Sequence, residues 1–313
     1  MTPEAPADAA PATNHGGFHG LAVHRLSNAR LWLDVLATGG PRIVRIGLAG
    51  STRNLLAETP GLGWQTPHGR YELFGGHRLW FAPEDPDRVA IPDRHGLVLE
   101  TVPGGVRLTG RAEPQTGLVR TMVVLLADEQ VEVRHELRNV ADRPVELAPW
   151  AITQLPLDGM ALLPQRPATA EHRVHPDRAL VLWPYTSWED PRLRLRDGLL
   201  IVDARAGPDL KIGYRNDDGW VGYLQDRTLL VRRFEPAVGQ LLPDLGCNTE
   251  AYVGPRFVEL ELLGPLSVLP PGSTVAFVER WQVLTVDQAG DVPGLRRLAE
   301  WIGNGAPRCS SEA

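Results

Sequence analysis

Short runs of alternating apolar and polar residues fill most of this chain, and Gly, Pro, Asp and Asn separate one run from the next. Alternation with period two marks a strand that buries one face. Residues 21–28 (LAVHRLSN), 29–37 (ARLWLDVLA) and 42–50 (RIVRIGLAG) open the series. Residues 98–112 (VLETVPGGVRLTGRA) predict a hairpin about Pro103-Gly104-Gly105, and residues 118–140 predict two strands joined near Asp128-Glu129. In the second of these, Val131, Val133, His135 and Leu137 alternate with Glu132, Arg134 and Glu136. Further runs follow at 199–206, 211–226, 228–236 and 257–281. A helical pattern occurs only near the end. Asp291 is placed to cap it, Pro293 suits its first turn, Leu295, Leu298 and Ile302 form an i, i+3, i+7 stripe, and Gly303 stops it. Many strands without alternating helices predict an all-β fold, one large antiparallel sandwich spanning residues 17–304. Residues 1–16, rich in Ala and Pro, and residues 305–313 read as disordered tails.

The run 257–263 (FVELELL) carries the most chemistry. Val258, Leu260 and Leu262 share one face; Phe257, Glu259, Glu261 and Leu263 share the other. A surface strand can carry glutamates without purpose. The alternative is that carboxylates beside an aromatic and a leucine have raised pKa values and serve in acid–base work.

Composition narrows the classes. A chain of 313 residues that is 43% hydrophobic can bury a large core, and a net charge of −6 argues against nucleic acid or an anionic membrane as partner. Two cysteines, Cys247 and Cys309, give neither a disulfide framework nor a metal spacing and read as free thiols. The first residues lack the basic and apolar regions of a secretory signal, so a cytoplasmic protein is expected. Lys211 is the only lysine among 32 basic residues, which fits a coding bias toward arginine or, less directly, a use of arginine's bidentate chemistry.

Three segments together resemble the galactose mutarotase-like superfamily: residues 71–86 (YELFGGHRLWFAPEDP), 131–155 (VEVRHELRNVADRPVELAPWAITQL) and 257–281. The first is similar to the Gly-Gly segment that lines the sugar site of aldose 1-epimerases, the second to the strands that lead to their catalytic histidine, the third to the segment that carries their catalytic glutamate. The likeness spans residues 21–284 and is strongest to members with GG-(H/D)-(R/K)-LW-x-APE and PW-AITQL patterns. It implies a β-supersandwich with a carbohydrate on its concave face, an isomerase of aldose 1-epimerase type, and no cofactor. Two departures stand against it. Pro149-Trp150 occupies the place of the epimerase Asn-His, and Phe74 that of the histidine before the two glycines.

Mutarotation needs a base for the anomeric hydroxyl and an acid for the ring oxygen. By its spacing to Pro265 the resemblance assigns the base to Glu261, with Glu259 one pleat away on the same face. His77, Arg78 and Glu84 are the nearest sources of the acid, and His77 has a suitable ordinary pKa. It could equally anchor a loop or donate to a ligand. Arg78 suits either hydroxyls or a sugar phosphate, or an ion pair with Glu84 or Asp85. Trp80 and Trp150 read as a sugar platform or as core. Thr153 and Gln154 point opposite ways, so at most one faces the site, and Gln154 is the candidate. Residues 183–191 (WPYTSWEDP) form an aromatic loop that could wall the cleft or pack on the surface. His172 and His175 lack helical context and a third ligand, so no metal is expected there. A phosphate loop, a dinucleotide fingerprint and a nucleophile elbow are missing. The rival to an isomerase is a sugar-binding or sensing protein that has lost the acid.

Overall fold

The computed structural model describes residues 17–167, 175–286 and 292–304. Both predicted tails, His172, Cys309 and the capping position Asp291 lie outside them. Within them the chain forms two large antiparallel sheets packed face to face. The first runs from edge to edge through Val23–Ser27, Leu31–Leu36, Arg42–Leu48, His77–Ala82, Val145–Leu155, Val258–Leu263, Thr249–Val253, Leu210–Tyr214 and Val181–Leu182, and Ser267–Leu269 pairs with the start of Val145–Leu155. The second runs through Leu193–Arg196, Gly198–Asp203, Met160–Gln165, Trp220–Gln225, Thr228–Phe234, Thr274–Thr285, Gln130–Asn139, Leu118–Ala127, Gly105–Thr109 and Val98–Val102.

Alternation decides what lies between the sheets. Val258, Leu260 and Leu262 join Leu33, Val35 and Ile46 from the first sheet and Val131, Val133 and Trp281 from the second in one buried cluster. Each strand gives its other residues to the outer face. Turns follow the chemistry of their residues. The hairpin between Val98–Val102 and Gly105–Thr109 closes on Pro103-Gly104, with Gly104 at φ +78°, so Gly105 already belongs to the strand. Leu118–Ala127 and Gln130–Asn139 join through Asp128-Glu129, and Asp128 takes φ +46°.

The outer faces are covered differently. On the second sheet lies the terminal helix, Val292–Gly303, with Leu295 and Ile302 buried against Leu162, Leu199 and Trp220, and Leu298 half-buried beside them. A four-residue helix, Pro86–Val89, capped by Asp85, is the other helix among the described residues. Against the first sheet stands a separate hairpin, Glu58–Thr66 with Gly69–Gly75, whose Tyr71 ring packs 5.8 Å from Trp80. The chain then passes into the first sheet through Phe74, Gly75 and Gly76, all at positive φ. A Cβ on Gly76 would stand 2.3 Å from the Ile43 carbonyl oxygen, so only glycine lets the chain cross here. That crossing fixes which face His77 and Arg78 take. No helix among the described residues is long and apolar enough to cross a membrane.

Candidate functional site

Five neighbouring strands of the first sheet set a row of polar and aromatic side chains on its outer face. Register places Trp80 beside Trp150, Arg78 beside Ile152, Glu261 beside Ile152 and Glu250, and Glu259 beside Gln154 and Tyr252. Lys211 comes from the next strand, opposite Tyr252. Arg78 Nη2 donates to Glu259 Oε1 at 2.9 Å while its guanidinium lies 4.4 Å over the Trp80 ring. Trp150 Nε1 donates to Glu261 Oε2 at 2.7 Å, and Lys211 Nζ donates to the same oxygen at 3.0 Å. The Lys211 ammonium also contacts Glu250 Oε2 at 2.7 Å and sits between the Trp150 and Trp183 rings, 4.8 and 4.7 Å away.

Trp183 opens the aromatic loop, and the loop is tied to the sheet. Thr186 Oγ1 donates to the Lys211 carbonyl at 2.7 Å and accepts from its N–H at 2.8 Å. Gly213 makes room for this arrangement, since a Cβ there would stand 2.7 Å from Cys247 Sγ and 3.2 Å from both Trp183 and Glu250. At the rim, Tyr252 donates to Asp209 at 2.8 Å.

The face is buried, yet its hydrogen bonding is incomplete. Arg78 Nε and Nη1, both amide atoms of Gln154, Glu250 Oε1 and Glu261 Oε1 have no partner. Buried polar groups normally do, because an unmet one costs about 1–3 kcal/mol. Here several cluster on one surface, as donors and acceptors together. Electrostatics follow from the same crowding. Burial would lower the Lys211 pKa, but Glu261 and Glu250 outweigh it and raise it. Burial pushes Glu250 well above the ordinary carboxyl value, with Glu261 adding to this and Lys211 opposing. Glu259 is raised by burial, against the pull of Arg78. Glu84, exposed at the rim, is raised by partial burial and by Glu261 and Asp244, against Lys211. Tyr185 on the aromatic loop is pushed up to about 12, chiefly by burial.

Of the residues singled out in the sequence, Arg78, Trp80, Trp150, Gln154, Glu259 and Glu261 meet on this face, and Glu84 stands at its rim. His77 does not join them. The pleat that turns Arg78 outward turns His77 between the sheets, where it cannot reach a ligand bound on the outer face. There His77 Nδ1 meets Thr153 Oγ1 at 2.8 Å, and His77 Nε2 meets His135 Nε2 at 3.1 Å. His135 Nε2 in turn lies 2.9 Å from Glu279 Oε1. Arg232 Nε and Trp281 Nε1 donate to Glu279 Oε2 at 2.6 and 2.7 Å. His77, His135 and Glu279 offer three atoms within 4.8 Å of one another, a spacing a metal could use. The chemistry does not favour one. Glu279 already balances the Arg232 guanidinium, and a divalent ion would leave this buried cluster with an uncompensated double charge. Burial holds the His77 pKa well below its ordinary value.

Sequence reasoning gives Lys211 and Glu250 no site role and reads Cys247 only as a free thiol. The signal for Lys211 was its being the sole lysine. Glu250 had a weaker one, lying opposite the face of Thr249 and Ala251 in the run 249–253.

No protein-family model matches the sequence, and no curated protein matches it. Solved structures do match in shape. A galactose mutarotase-like protein from Lactobacillus casei ATCC 334 is 9% identical with a TM-score of 0.57, over 84% of this chain and 100% of its own. A putative aldose 1-epimerase from Escherichia coli K12 is 11% identical, TM-score 0.52, over 85% and 100%. A galactose mutarotase related enzyme from Lactobacillus acidophilus is 12% identical, TM-score 0.51, over 86% and 100%. The chain therefore has the galactose mutarotase-like β-sandwich fold.

Proposed function

We propose that this protein binds a carbohydrate on the outer face of the first sheet and acts on its anomeric centre, with Glu261 as base. The cluster of buried, unpartnered polar atoms beside Trp80 and Trp150 carries this reading. A pyranose offers hydroxyls that donate to carboxylates and accept from guanidinium and amide groups, and its C–H faces pack on aromatic rings. Arg78 and Gln154 would hold hydroxyls, Glu259 would orient Arg78, and Glu84 with the aromatic loop would border the opening. The fold shared with mutarotase-like proteins supports the same ligand class, and the short-segment likeness to the GG-(H/D)-(R/K)-LW-x-APE members agrees with it.

A second reading, a sugar-binding protein without catalysis, draws on one observation: among the described residues the outer face of the central strands carries no histidine, since Trp150 stands where the resemblance puts the epimerase histidine and His77 is turned inward. Exchange between anomers, measured by NMR for D-glucose, D-galactose and their 6-phosphates, separates the two. The first reading expects exchange that Glu261→Gln abolishes. Binding without exchange supports the second, and binding of none of the four sugars rejects both.

A further inference from the structure

A base alone leaves the ring oxygen without a proton, and the outer face holds a second buried carboxyl directly across the ladder from the base. Glu250 and Glu261 are direct cross-strand partners on adjacent strands, with side chains on the same face. Their Oε2 atoms contact one ammonium, Lys211 Nζ, at 2.7 and 3.0 Å, and Oε1 of each has no partner. We propose that Glu250 is the general acid of this site, paired with Glu261 as base, with Lys211 as the positioning cation that keeps the two in opposite protonation states. This rests on the carbohydrate reading above and specifies how its chemistry would run.

Charge counting supports the assignment. One ammonium buried with two carboxyls is neutral only when one carboxyl keeps its proton, and a second buried carboxylate would be costly. Glu261 Oε2 accepts hydrogen bonds from both Trp150 Nε1 and Lys211 Nζ, whereas Glu250 has the ammonium contact alone. Donors stabilise an ionised carboxylate, so the geometry suits Glu261 to the base and Glu250, which burial raises, to the acid. Of the other groups around them, Asp244 and Cys247 on the preceding loop face Glu250, Glu84, Glu259 and Tyr185 face Glu261, and Arg78 is already paired with Glu259. Lys211, held as an ammonium by two carboxyls, is unsuited to act as a nucleophile.

The step balances. Glu261 takes the proton from the anomeric hydroxyl while Glu250 protonates the ring oxygen. The C1 to ring-oxygen bond breaks as the C1 carbonyl forms. After rotation about C1–C2, the freed hydroxyl adds to the other carbonyl face, returning its proton to Glu250, and Glu261 reprotonates the new anomeric oxygen. Both groups must reach oxygens borne by one carbon, which suits carboxyls gathered on one ammonium.

The test uses the full chain and the same four sugars, reading anomer exchange by NMR and binding by saturation transfer in parallel samples. Glu250→Gln, which preserves shape, is expected to lower exchange by about 10²- to 10⁴-fold while saturation transfer persists, and Glu250→Asp to recover part of the loss. Lys211→Gln is expected to move the acidic limb of the exchange–pH profile upward, because an unbalanced carboxylate pair holds its proton more tightly. The unmodified protein should show a bell-shaped profile, and this reading does not depend on any variant folding. Wild-type exchange unaffected by Glu250→Gln overturns the proposal, as does a flat profile. Binding with no wild-type exchange removes the acid–base pair but leaves the carbohydrate reading standing. Absence of binding removes both.

Discussion

The two faces of the strand His77–Ala82 carry two buried polar clusters built from similar parts but finished differently. Between the sheets, Glu279 has both oxygens met by Arg232, Trp281 and His135, and the one partnerless atom nearby is His135 Nδ1. On the outer face, Glu261, Glu250, Arg78 and Gln154 each leave atoms unmet. Each cluster contains a carboxylate, a cation and a tryptophan whose Nε1 donates at 2.7 Å. A closed network holds sheets together; an open one of the same composition spends stability to keep groups ready for a ligand. The difference separates a structural cluster from a site more sharply than residue type does.

The largest test of this contrast is Glu279→Gln. Removing the negative charge paired with the buried Arg232 guanidinium should cost about 3–5 kcal/mol in denaturant unfolding. A cost under about 1 kcal/mol would mean that the inner cluster is not structural. Next comes Gln154→Leu on the other face. Its amide has no partner to lose, so unfolding should show a gain of about 1–3 kcal/mol together with weaker sugar binding. A loss of stability there would contradict the contrast.

The two clusters should also bend the stability–pH curve in opposite directions. Burial lowers His77, and Arg232 with His77 overrides burial to hold Glu279 far below 4.5. With folded-state values depressed, the unfolded chain takes up more protons, so stability falls as pH drops below 6.5 for His77 and below 4.5 for Glu279. Glu250 is raised, so its contribution is complete below 4.5 and is lost as pH climbs through its folded-state value. Unfolding midpoints across pH should therefore show a shallower upper slope in Glu250→Gln, the raised Glu259 and Glu84 keeping the remainder, and an unchanged lower one. The smallest effect belongs to the rim. Exposed Glu84, changed to Gln, should alter sugar affinity less than about fivefold, measured by calorimetric titration.

The fold was legible because period-two alternation is a direct imprint of a sheet with one buried face. The run 257–263 showed its core face and its carboxylate face, and the stripe Leu295, Leu298, Ile302 showed the helix that covers the second sheet. Most of the outer cluster was legible through segment resemblance, since Arg78, Trp150 and Glu261 lie in the three segments. His77 was misplaced because adjacency to Arg78 in sequence means opposite faces in a strand, and its motif position drew more weight than its pleat. Its partner His135 stood visibly in the apolar line Val131, Val133, Leu137. Lys211 and Glu250 stayed hidden for a different reason. Their significance comes from how the strands pair, Lys211 meeting Glu261 across 50 residues of sequence and Glu250 meeting Glu261 across the ladder of two adjacent strands, and no local pattern encodes a partner.

The central claim is that the outer face, and not the inner cluster, receives a sugar. Trp150 and Trp281 report on the two directly, since each indole N–H is bound to a cluster carboxylate at 2.7 Å. In a ¹⁵N–¹H correlation titration with the four sugars, indole resonances assigned by Trp150→Phe and Trp281→Phe give both readings in one spectrum. The Trp150 indole should shift saturably with at least one sugar while the Trp281 indole stays in place. A shift at Trp281 with none at Trp150, or none at either with all four, would contradict the claim.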